Sequence, residues 1–253
     1  MFFLRKVIRD SQTAIIKIGE RVWKLPLSFS ACKEMLREKK KLPEVGRDEH
    51  FSKFLVKGFF CGGVILSNPY LKPATKEDIG IIKKYFSDAF KFSLDWDREK
   101  LMHVIEDKFF LKFIFESIPN DTRYWLQYLD ENSISKSSSH GDFHLNNILL
   151  EDNRLFFIDW IRYNNFSSRY FDLIDFYIFY NKNEVESWTD FWMDKFKKNR
   201  GEIFGIKIER KYFPAYAIWK VSVELKTLYL RGKLSEQKRN KYIIFLNKLR
   251  ETI

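Results

Sequence analysis

The segment 139–160, SHGDFHLNNILLEDNRLFFIDW, constrains the fold of this chain more than any other stretch. Two short apolar runs, 148–150 and 155–158, flank the polar, turn-forming residues 151–154, a pattern typical of a β-hairpin. Polar residues come directly before the first run, and Asp159 follows the second. A hairpin of this kind would hold both groups of polar side chains on a rigid base.

These polar side chains are the ones that phosphoryl transfer requires. The reaction needs an oriented acceptor hydroxyl, a divalent metal that gathers phosphate charge, and cations on the donor phosphates. Asp142 could orient a hydroxyl and accept its proton. Asn147 and Asp159 supply a neutral and an anionic oxygen, the ligands that Mg²⁺ prefers. A zinc pair formed by the two histidines of the motif is the alternative, but no further ligands stand at a suitable spacing.

The composition indicates a folded, basic protein. The chain has 253 residues, enough for one large domain or two lobes, and its 45% hydrophobic content allows a sizeable core. A net charge of +11 favours anionic partners such as a nucleotide, a phosphorylated sugar, an anionic lipid surface or nucleic acid, although an ordinary lysine-rich surface gives the same value. Cys32 and Cys61 lack metal-ligand spacing, so we expect free thiols.

The chain offers no candidate membrane span. No segment approaches about 18 uninterrupted apolar residues. The start, MFFLRKVIRD, is apolar for too few residues to form a secretory signal. We therefore expect a cytoplasmic protein.

The first part of the chain is predicted to be rich in β-structure. Residues 2–28 predict three strands, with a tight turn at Gly19-Glu20 between the second and the third. Ser28 or Ser30 then begins a helix that runs to about Leu42 and ends at Pro43. Residues 51–66 predict two more strands, broken near Gly58 or Gly62-Gly63, and the polar stretch 67–75 predicts a connector between lobes.

The remainder is predicted to be mainly helical. Apart from the hairpin, helical periodicity covers 76–92, 97–118, a continuation to about residue 131, 171–183, 185–199, 209–231 and 235–252. The pattern predicts an α+β fold with a small β-rich lobe, 1–70, and a larger helical lobe, 71–253. Ligands commonly bind in the cleft between such lobes.

HGDFHLNN followed by FFIDW resembles the catalytic and metal-binding loops of the aminoglycoside phosphotransferase and choline kinase family, a branch of the protein-kinase-like fold. The resemblance covers 13–180 in outline and is specific only over 139–176. It implies a bilobal α+β fold. It also implies a kinase that uses ATP and Mg²⁺ to phosphorylate a hydroxyl of a small molecule or sugar.

The resemblance also implies a role for each polar residue of the motif. Asp142 would be the catalytic base, and Asn147 and Asp159 would be metal ligands. His140 would brace the loop, and His144 would lie near the transferred phosphate.

Residues of the amino-terminal lobe would hold the nucleotide. The resemblance implies that Lys24, on the third strand, pairs with a helical glutamate. Glu38 is favoured over Glu34, one turn earlier on the same face. Asn68 and Leu71, in the linker, would offer backbone groups to the adenine edge.

Two further features complete the comparison with the family. Asp172, in the DL pair of RYFDLIDF, would hold the catalytic loop. In place of a glycine-rich loop before Lys24, the first turn reads RDSQTA. That departure counts against a protein kinase.

The acceptor pocket would be built by residues 160–230. Aromatic side chains there could stack on a sugar or bind a quaternary ammonium group, although aromatics at helical spacing are usually core: Trp160, Tyr163, Tyr177, Tyr180, Trp188, Trp192, Tyr216 and Trp219. Acidic residues are mixed with many lysines: Asp172, Asp175, Glu184, Glu186, Asp190 and Asp194. The net charge of +11 argues against a polycationic acceptor.

The favoured acceptor is therefore a sugar, including one within an anionic surface-glycan or lipopolysaccharide precursor. Such a precursor would be located at the inner membrane face, where the protein would contact the membrane peripherally. An aminoglycoside, choline or ethanolamine is the alternative, and GTP remains open as the donor. A kinase-like module that binds nucleotide without catalysis is a second hypothesis. A nucleic-acid-binding protein is a third, which rests on charge alone because no binding motif is present.

Overall fold

The computed structural model of the chain describes residues 3–8, 13–91, 97–105, 108–181, 201–230, 232–251 and 253, with the backbone alone at 3–8 and 181. The chain forms two compact units. The first comprises Met1–Phe86 and His140–Asn165, and the second comprises Ser87–Ser139 and Phe166–Ile253. The lobe boundary expected after residue 70 stays a prediction.

An antiparallel sheet of five strands dominates the first unit. Its spatial order is β1-β2-β3-β5-β4, with β1 at Phe3–Ile8, β2 at Thr13–Ile18, β3 at Arg21–Pro26, β4 at Phe59–Cys61 and β5 at Ile65–Pro69. The three amino-terminal strands and the turn at Gly19-Glu20 are confirmed. The register sets Lys24 opposite Ile15 on one side and Leu66 on the other, so this lysine lies in the middle of the sheet.

Helix α1 (Phe29–Arg47) begins where the sequence predicts, because the Ser28 side chain accepts a hydrogen bond from the amide of Ala31. The predicted end at Pro43 is wrong, since the helix continues for another turn. A proline removes one internal helical hydrogen bond. Val45, beyond it, is fully buried, and its packing offsets that loss.

The predicted strand at the start of 51–66 is also wrong. Residues Ser52–Phe54 form a 3₁₀ turn, and strand structure begins only at Phe59. The cause is Asp48, whose carboxylate accepts hydrogen bonds from the amides of His50 and Phe51 at 2.9 and 2.7 Å. Such side-chain bonds compete with a strand ladder.

The predicted hairpin forms as β10 (Ile148–Glu151) and β11 (Arg154–Phe157). Asp152 and Asn153 make the turn, and both have positive φ, as a two-residue hairpin turn of type I′ requires. The stretch predicted as a polar connector instead ends β5 and supplies β6 (Lys72–Pro73), a third strand against β10.

The second unit is mainly helical, as predicted. Its helices are α3 (Leu101–Val104), α4 (Lys108–Ser117), α5 (Thr122–Glu131), α6 (Arg169–Asn181), α7 (Tyr212–Leu230) and α8 (Glu236–Arg250). Its short strands are β7 (Arg98–Lys100), β8 (Ser133–Ser135), β9 (Ser137–Ser139), β13 (Glu202–Ile203) and β14 (Ile206–Lys207). Helix α2 (Ile79–Phe90) and strand β12 (Asn164–Ser167) contain residues of both units. The single helix predicted over 97–118 is wrong, because β7 pairs with β8 before α3 begins. The helix predicted over 185–199 lies outside the described residues.

Helix α7 forms the centre of the second unit. Every residue from Tyr212 to Ser222 is buried, so this part of the helix is surrounded by protein on all sides. α6 contributes further core residues to this unit, among them Phe171 and Phe176. In the part of the chain that the structure describes, no helix has the length and apolarity needed to cross a membrane.

Candidate active site

Lys24 and Glu38 form an ion pair between β3 and α1. The Nζ atom of Lys24 lies 2.8 Å from Oε2 of Glu38, and the glutamate is buried. Glu34, one turn earlier, acts on the lysine only as a weaker electrostatic neighbour. The structure thus selects Glu38 of the two glutamates that the sequence offers.

Asp159 is the third member of this cluster. Its Oδ1 lies 3.7 Å from Nζ of Lys24. Burial disfavours the ammonium charge, but the carboxylates of Asp159 and Glu38 outweigh that effect and raise the pKa of Lys24 above its ordinary value. Lys24 is therefore a cation at neutral pH.

The backbone of Asp159 has an unusual conformation. Its φ of 65° and ψ of 61° are left-handed, which few residues other than glycine adopt. The following amide, that of Trp160, donates a hydrogen bond to the Glu38 carboxylate. Glu38 therefore holds both the lysine and the turn that carries Asp159, and this bond helps to offset the cost of the strained backbone.

Asp142 lies at the centre of a second cluster, built by the loop before the hairpin. Its Oδ1 accepts a hydrogen bond from Nη1 of Arg162 at 3.0 Å. Asn147 Nδ2 donates to the backbone oxygen of Asp142 at 2.9 Å, and this nitrogen lies 3.4 Å from Oδ2. Nε2 of His144 lies 3.6 Å from the same Oδ2. Asp142, His144 and Asn147 are thus brought together as the motif predicts.

The hairpin ladder connects the two clusters. The amide of Ile158 donates to the backbone oxygen of Asn147 at 3.1 Å, which sets Asn147 beside the end of the strand that Asp159 follows. Because the Asn147 side chain uses Nδ2 for the contacts above, its Oδ1 is the atom suited to a metal. An amide oxygen and a partly exposed carboxylate are hard ligands that fit Mg²⁺.

A zinc site does not fit this loop. Among the described residues, no group of three or more histidine, cysteine, aspartate and glutamate side chains could hold a metal ion. His140 is instead a buried structural residue, whose Nε2 donates to the backbone oxygen of Ile158 at 2.9 Å. Burial lowers the pKa of His140 to about 4, so the ring is neutral at neutral pH. It packs against Trp160, with 4.5 Å between the ring centroids.

The loop requires a glycine at position 141, between His140 and Asp142. Its φ is +80°, and a Cβ at this position would lie 2.4 Å from the backbone oxygen of Arg162. Only glycine avoids that clash. The close approach brings Arg162 next to the loop that holds Asp142.

Sequence reasoning missed two residues of this site, Arg162 and Asp48, and it assigned Tyr163 to the acceptor pocket and not to the contact it makes here. Arg162, which binds Asp142, could have been found as the one basic residue directly after the metal-ligand strand. Tyr163 donates its hydroxyl proton to Oδ2 of Asp48 at 2.8 Å and so ties the segment after Asp159 to the end of α1. No local pattern marks Asp48 or Tyr163, because their contact spans 115 positions.

Of the two predicted nucleotide-edge residues, Asn68 lies on the same sheet as Lys24, and Leu71 lies between β5 and β6. Asn68 is opposite Val22 in the ladder, and its side chain occupies the space beside Gly58, where a Cβ would lie 1.9 Å from Oδ1 of Asn68. The Leu71 side chain is buried, so only its backbone could contact a ligand. Asp172 belongs to the second unit, where it is fully buried in the first turn of α6.

Four of the six described aromatic residues proposed for the acceptor pocket are core residues. Trp160, Tyr163, Tyr216 and Trp219 are buried. Tyr177 and Tyr180 are half-buried and pack against Phe204. The others lie outside the described residues: Trp188 and Trp192, together with Glu184, Glu186, Asp190 and Asp194.

No family model matches the chain, and no curated protein matches it. Solved structures do match in fold. Choline kinase LicA from Streptococcus pneumoniae is 14% identical, with a TM-score of 0.58, and the match covers 99% of this chain and 93% of that one. A choline/ethanolamine kinase family protein from Mesorhizobium loti is 12% identical, with a TM-score of 0.50 and coverage of 98% and 86%.

A third match is a thermostable mutant of aminoglycoside phosphotransferase APH(4)-Ia in ternary complex with ADP and hygromycin B. It is 10% identical, with a TM-score of 0.54, and the match covers 98% of this chain and 92% of that one. These identities establish a common fold. The chain has the protein-kinase-like α+β fold that these choline kinases and aminoglycoside phosphotransferases share.

Proposed function

We propose that this protein is a kinase that transfers the γ-phosphate of ATP, with Mg²⁺, to an alcohol hydroxyl of a small molecule or sugar. The observation that carries the proposal is that one compact unit contains two clusters of polar side chains. One is the cation Lys24 with Glu38 and Asp159, and the other is Asp142 with Asn147. The fold, shared with kinases whose structures contain ADP or AMP, supports the same reading.

The donor side is the cluster around Lys24. The Lys24 side chain is partly exposed while Glu38 is buried, so the buried glutamate holds the cation in a position where it could bind a phosphate oxygen. Asn147 Oδ1 and the Asp159 carboxylate would hold Mg²⁺. When bound, the metal supplies positive charge that lowers the repulsion between the phosphates and an incoming hydroxyl.

The acceptor side is the cluster around Asp142. Arg162 occupies Oδ1 of this carboxylate, while Oδ2 faces His144 and the amide of Asn147. The carboxylate is thereby fixed in one orientation, in which it can accept a hydrogen bond from a hydroxyl and then its proton. His144 borders the same oxygen and contributes to the positioning of the acceptor.

We propose a sugar or another neutral or anionic alcohol as the acceptor, including a surface-glycan or lipopolysaccharide precursor. A polycationic aminoglycoside would need free carboxylates in its pocket. Of the two described aspartates of α6, Asp172 is fully buried and Asp175 is neutralised by Lys220 at 2.7 Å. The net charge of +11 also disfavours a cationic ligand.

The proposal is tested by phosphotransfer with γ-labelled ATP, Mg²⁺ and separate acceptors: choline, ethanolamine, hygromycin B, free sugars and lipopolysaccharide core oligosaccharide. We expect label in a sugar-containing acceptor. In Asp142→Ala the label should fall on the order of 10³-fold while ATP binding persists, because the positioned base is lost.

Asp130→Ala is the matched control, since Asp130 is an exposed carboxylate whose ion-pair partner is Lys100. This variant should retain full activity. Undiminished turnover in Asp142→Ala would remove the base assignment. ATP binding without any transfer or hydrolysis would instead favour the non-catalytic nucleotide-binding module.

A further inference from the structure

Helix α1 carries Glu38 on one side and an exposed, basic and apolar surface on the other. We call this surface the α1 outer face and define it by Leu27, Phe29, Lys33, Leu36, Arg37 and Lys40. Positions 29, 33, 36 and 40 follow the spacing that places side chains on one stripe of a helix. The opposite stripe holds the buried residues Ala31, Met35 and Glu38.

The apolar members of the α1 outer face are unusually exposed. Phe29 is 75% exposed, Leu27 59% and Leu36 42%. Single exposed apolar residues are common on protein surfaces, but here Phe29 and Leu36 share one stripe of α1, and Leu27 is exposed directly before its N-cap, so the three form a patch. Such patches mark sites of contact with another molecule.

The exposed charge over residues 29–40 of this face has one sign, and the first exposed acidic residue of α1 is Glu44, which pairs with Lys41 at 2.9 Å. Between Phe29 and Lys40, the exposed charged residues are all basic: Lys33, Arg37, Lys39 and Lys40. The acidic residues of the same stretch face inward, with Glu38 buried against Lys24 and Glu34 half-buried. The ammonium of Lys33 lies 4.5 Å from the centre of the Phe29 ring, so cation and ring share one surface.

We propose that the α1 outer face docks on an anionic lipid bilayer, with Leu27, Phe29 and Leu36 entering the headgroup region and the cations contacting lipid phosphates. Basic side chains that flank exposed aromatic and aliphatic residues suit this boundary, where one end of the site is apolar and the other anionic. A neutral partner would leave the cations of this face without opposite charges. The proposal is independent of ATP, of metal and of the acceptor.

The test is co-sedimentation of the full-length protein with vesicles of phosphatidylcholine alone or mixed with phosphatidylglycerol. We expect binding to the anionic vesicles only, weakened by added salt. Lys33→Glu/Arg37→Glu/Lys40→Glu should weaken the partition coefficient roughly 100-fold or more, since each cation near an anionic surface contributes about fivefold. Phe29→Ala should weaken it by about tenfold, because an inserted ring is lost.

Matched controls separate this face from net charge and general hydrophobicity. Lys84→Glu/Lys238→Glu/Lys248→Glu gives the same net charge from exposed lysines of other helices, and Phe115→Ala removes an exposed phenylalanine of α4. Both should bind as the unaltered protein does. Circular dichroism checks that each variant is folded.

Three results would overturn the proposal. The first is no binding to anionic vesicles, and the second is equal loss in the charge-reversal variant and its control. The third is a dimer in sedimentation velocity that Phe29→Ala converts to a monomer. This last outcome would assign the α1 outer face to contact between copies of the chain.

Discussion

Each unit of this protein contains a lysine–carboxylate pair of nearly the same length. In the first unit, Lys24 Nζ lies 2.8 Å from Glu38, and in the second, Lys220 Nζ lies 2.7 Å from Asp175. Their surroundings differ. The Lys24 side chain is 23% exposed above a glutamate at 2%, whereas the Lys220 and Asp175 side chains are 7% and 1% exposed.

This difference in exposure indicates which ion pair can bind a ligand. Lys24 has a second carboxylate, Asp159, and an open side, so it is a charge held ready for an external anion. Lys220 is enclosed by the aromatic rings of Phe179 and Trp219, and the hydroxyl of Tyr216 donates to its partner Asp175. We interpret the first pair as functional and the second as structural.

Removing the buried lysine should have the largest effect on stability. Lys220→Met leaves the Asp175 carboxylate in the core without a cation, which costs about 3–5 kcal/mol of unfolding free energy. Urea denaturation measures this change. Lys220→Met/Asp175→Leu should recover most of it, because an apolar pair avoids the buried charge. A loss below about 1 kcal/mol in the single variant would contradict the structural interpretation.

The same substitution in the first unit should mainly affect turnover. Lys24→Met removes the cation for the donor phosphates and should lower phosphotransfer by about 10²- to 10³-fold. Its unfolding free energy should change less than that of Lys220→Met, because the buried Glu38 keeps the Trp160 amide as a partner and the Lys24 side chain that is lost is 23% exposed. Steady-state kinetics and urea denaturation of both variants decide this. If Lys24→Met unfolds as readily as Lys220→Met and the folded fraction keeps full activity, the contrast is wrong.

Acid should destabilise the first unit through His140. Its pKa in the native protein is about 4, against ~6.5 in an unfolded chain. As the pH falls below ~6.5, the unfolded chain therefore takes up a proton first. The stabilisation from neutral His140 is complete above pH ~6.5 and is lost towards pH ~4, by about 3 kcal/mol.

The slope of unfolding free energy against pH, measured between pH 4 and 7, tests this prediction. His140→Asn should flatten it, whereas His103→Asn, at an exposed histidine of the second unit paired with Glu99, should leave it unchanged. A slope that survives in His140→Asn would place the titrating group elsewhere.

The smallest difference in stability is expected between two tyrosines that each donate a hydrogen bond to an aspartate. Tyr163→Phe removes the bond to Asp48, which keeps its two backbone amide donors, so we expect a loss of about 1 kcal/mol in stability. Tyr216→Phe removes a hydrogen bond to the fully buried Asp175 and should lower the unfolding free energy by about 2 kcal/mol. Tyr163→Phe should in addition raise KM for ATP, because the segment after Asp159 loses its tie to α1. An unchanged KM would limit Tyr163 to stability.

The sequence predicted the parts of the molecule that depend on local pattern. The hairpin 148–157 follows from two apolar runs and a turn, and Ser28 marks the start of α1. Predictions failed where burial or a side-chain hydrogen bond overrode that pattern. α1 continues through Pro43 because Val45 is buried, and 51–58 is not a strand because Asp48 captures the amides.

The site shows the same limit. Asp142, Asn147 and Asp159 belong to one local motif, so their spacing predicted their proximity. Arg162 and Tyr163 act through contacts that depend on the folded chain, and no local pattern predicts the bond between Tyr163 and Asp48. The aromatic residues after the motif were ambiguous from spacing alone, and burial of Tyr216 and Trp219 assigns them to the core.

The central claim is that Lys24 and Asp159 form the donor side of a kinase site, and a measurement of metal-dependent ATP binding tests it most directly. Calorimetric titration of ATP, with and without Mg²⁺, should show binding to the unaltered protein that Mg²⁺ strengthens. Asp159→Asn should abolish the strengthening, and Lys24→Met should weaken binding at every Mg²⁺ concentration. A folded protein that binds no ATP, or an Asp159→Asn variant with the same Mg²⁺ dependence as the unaltered protein, would contradict the account.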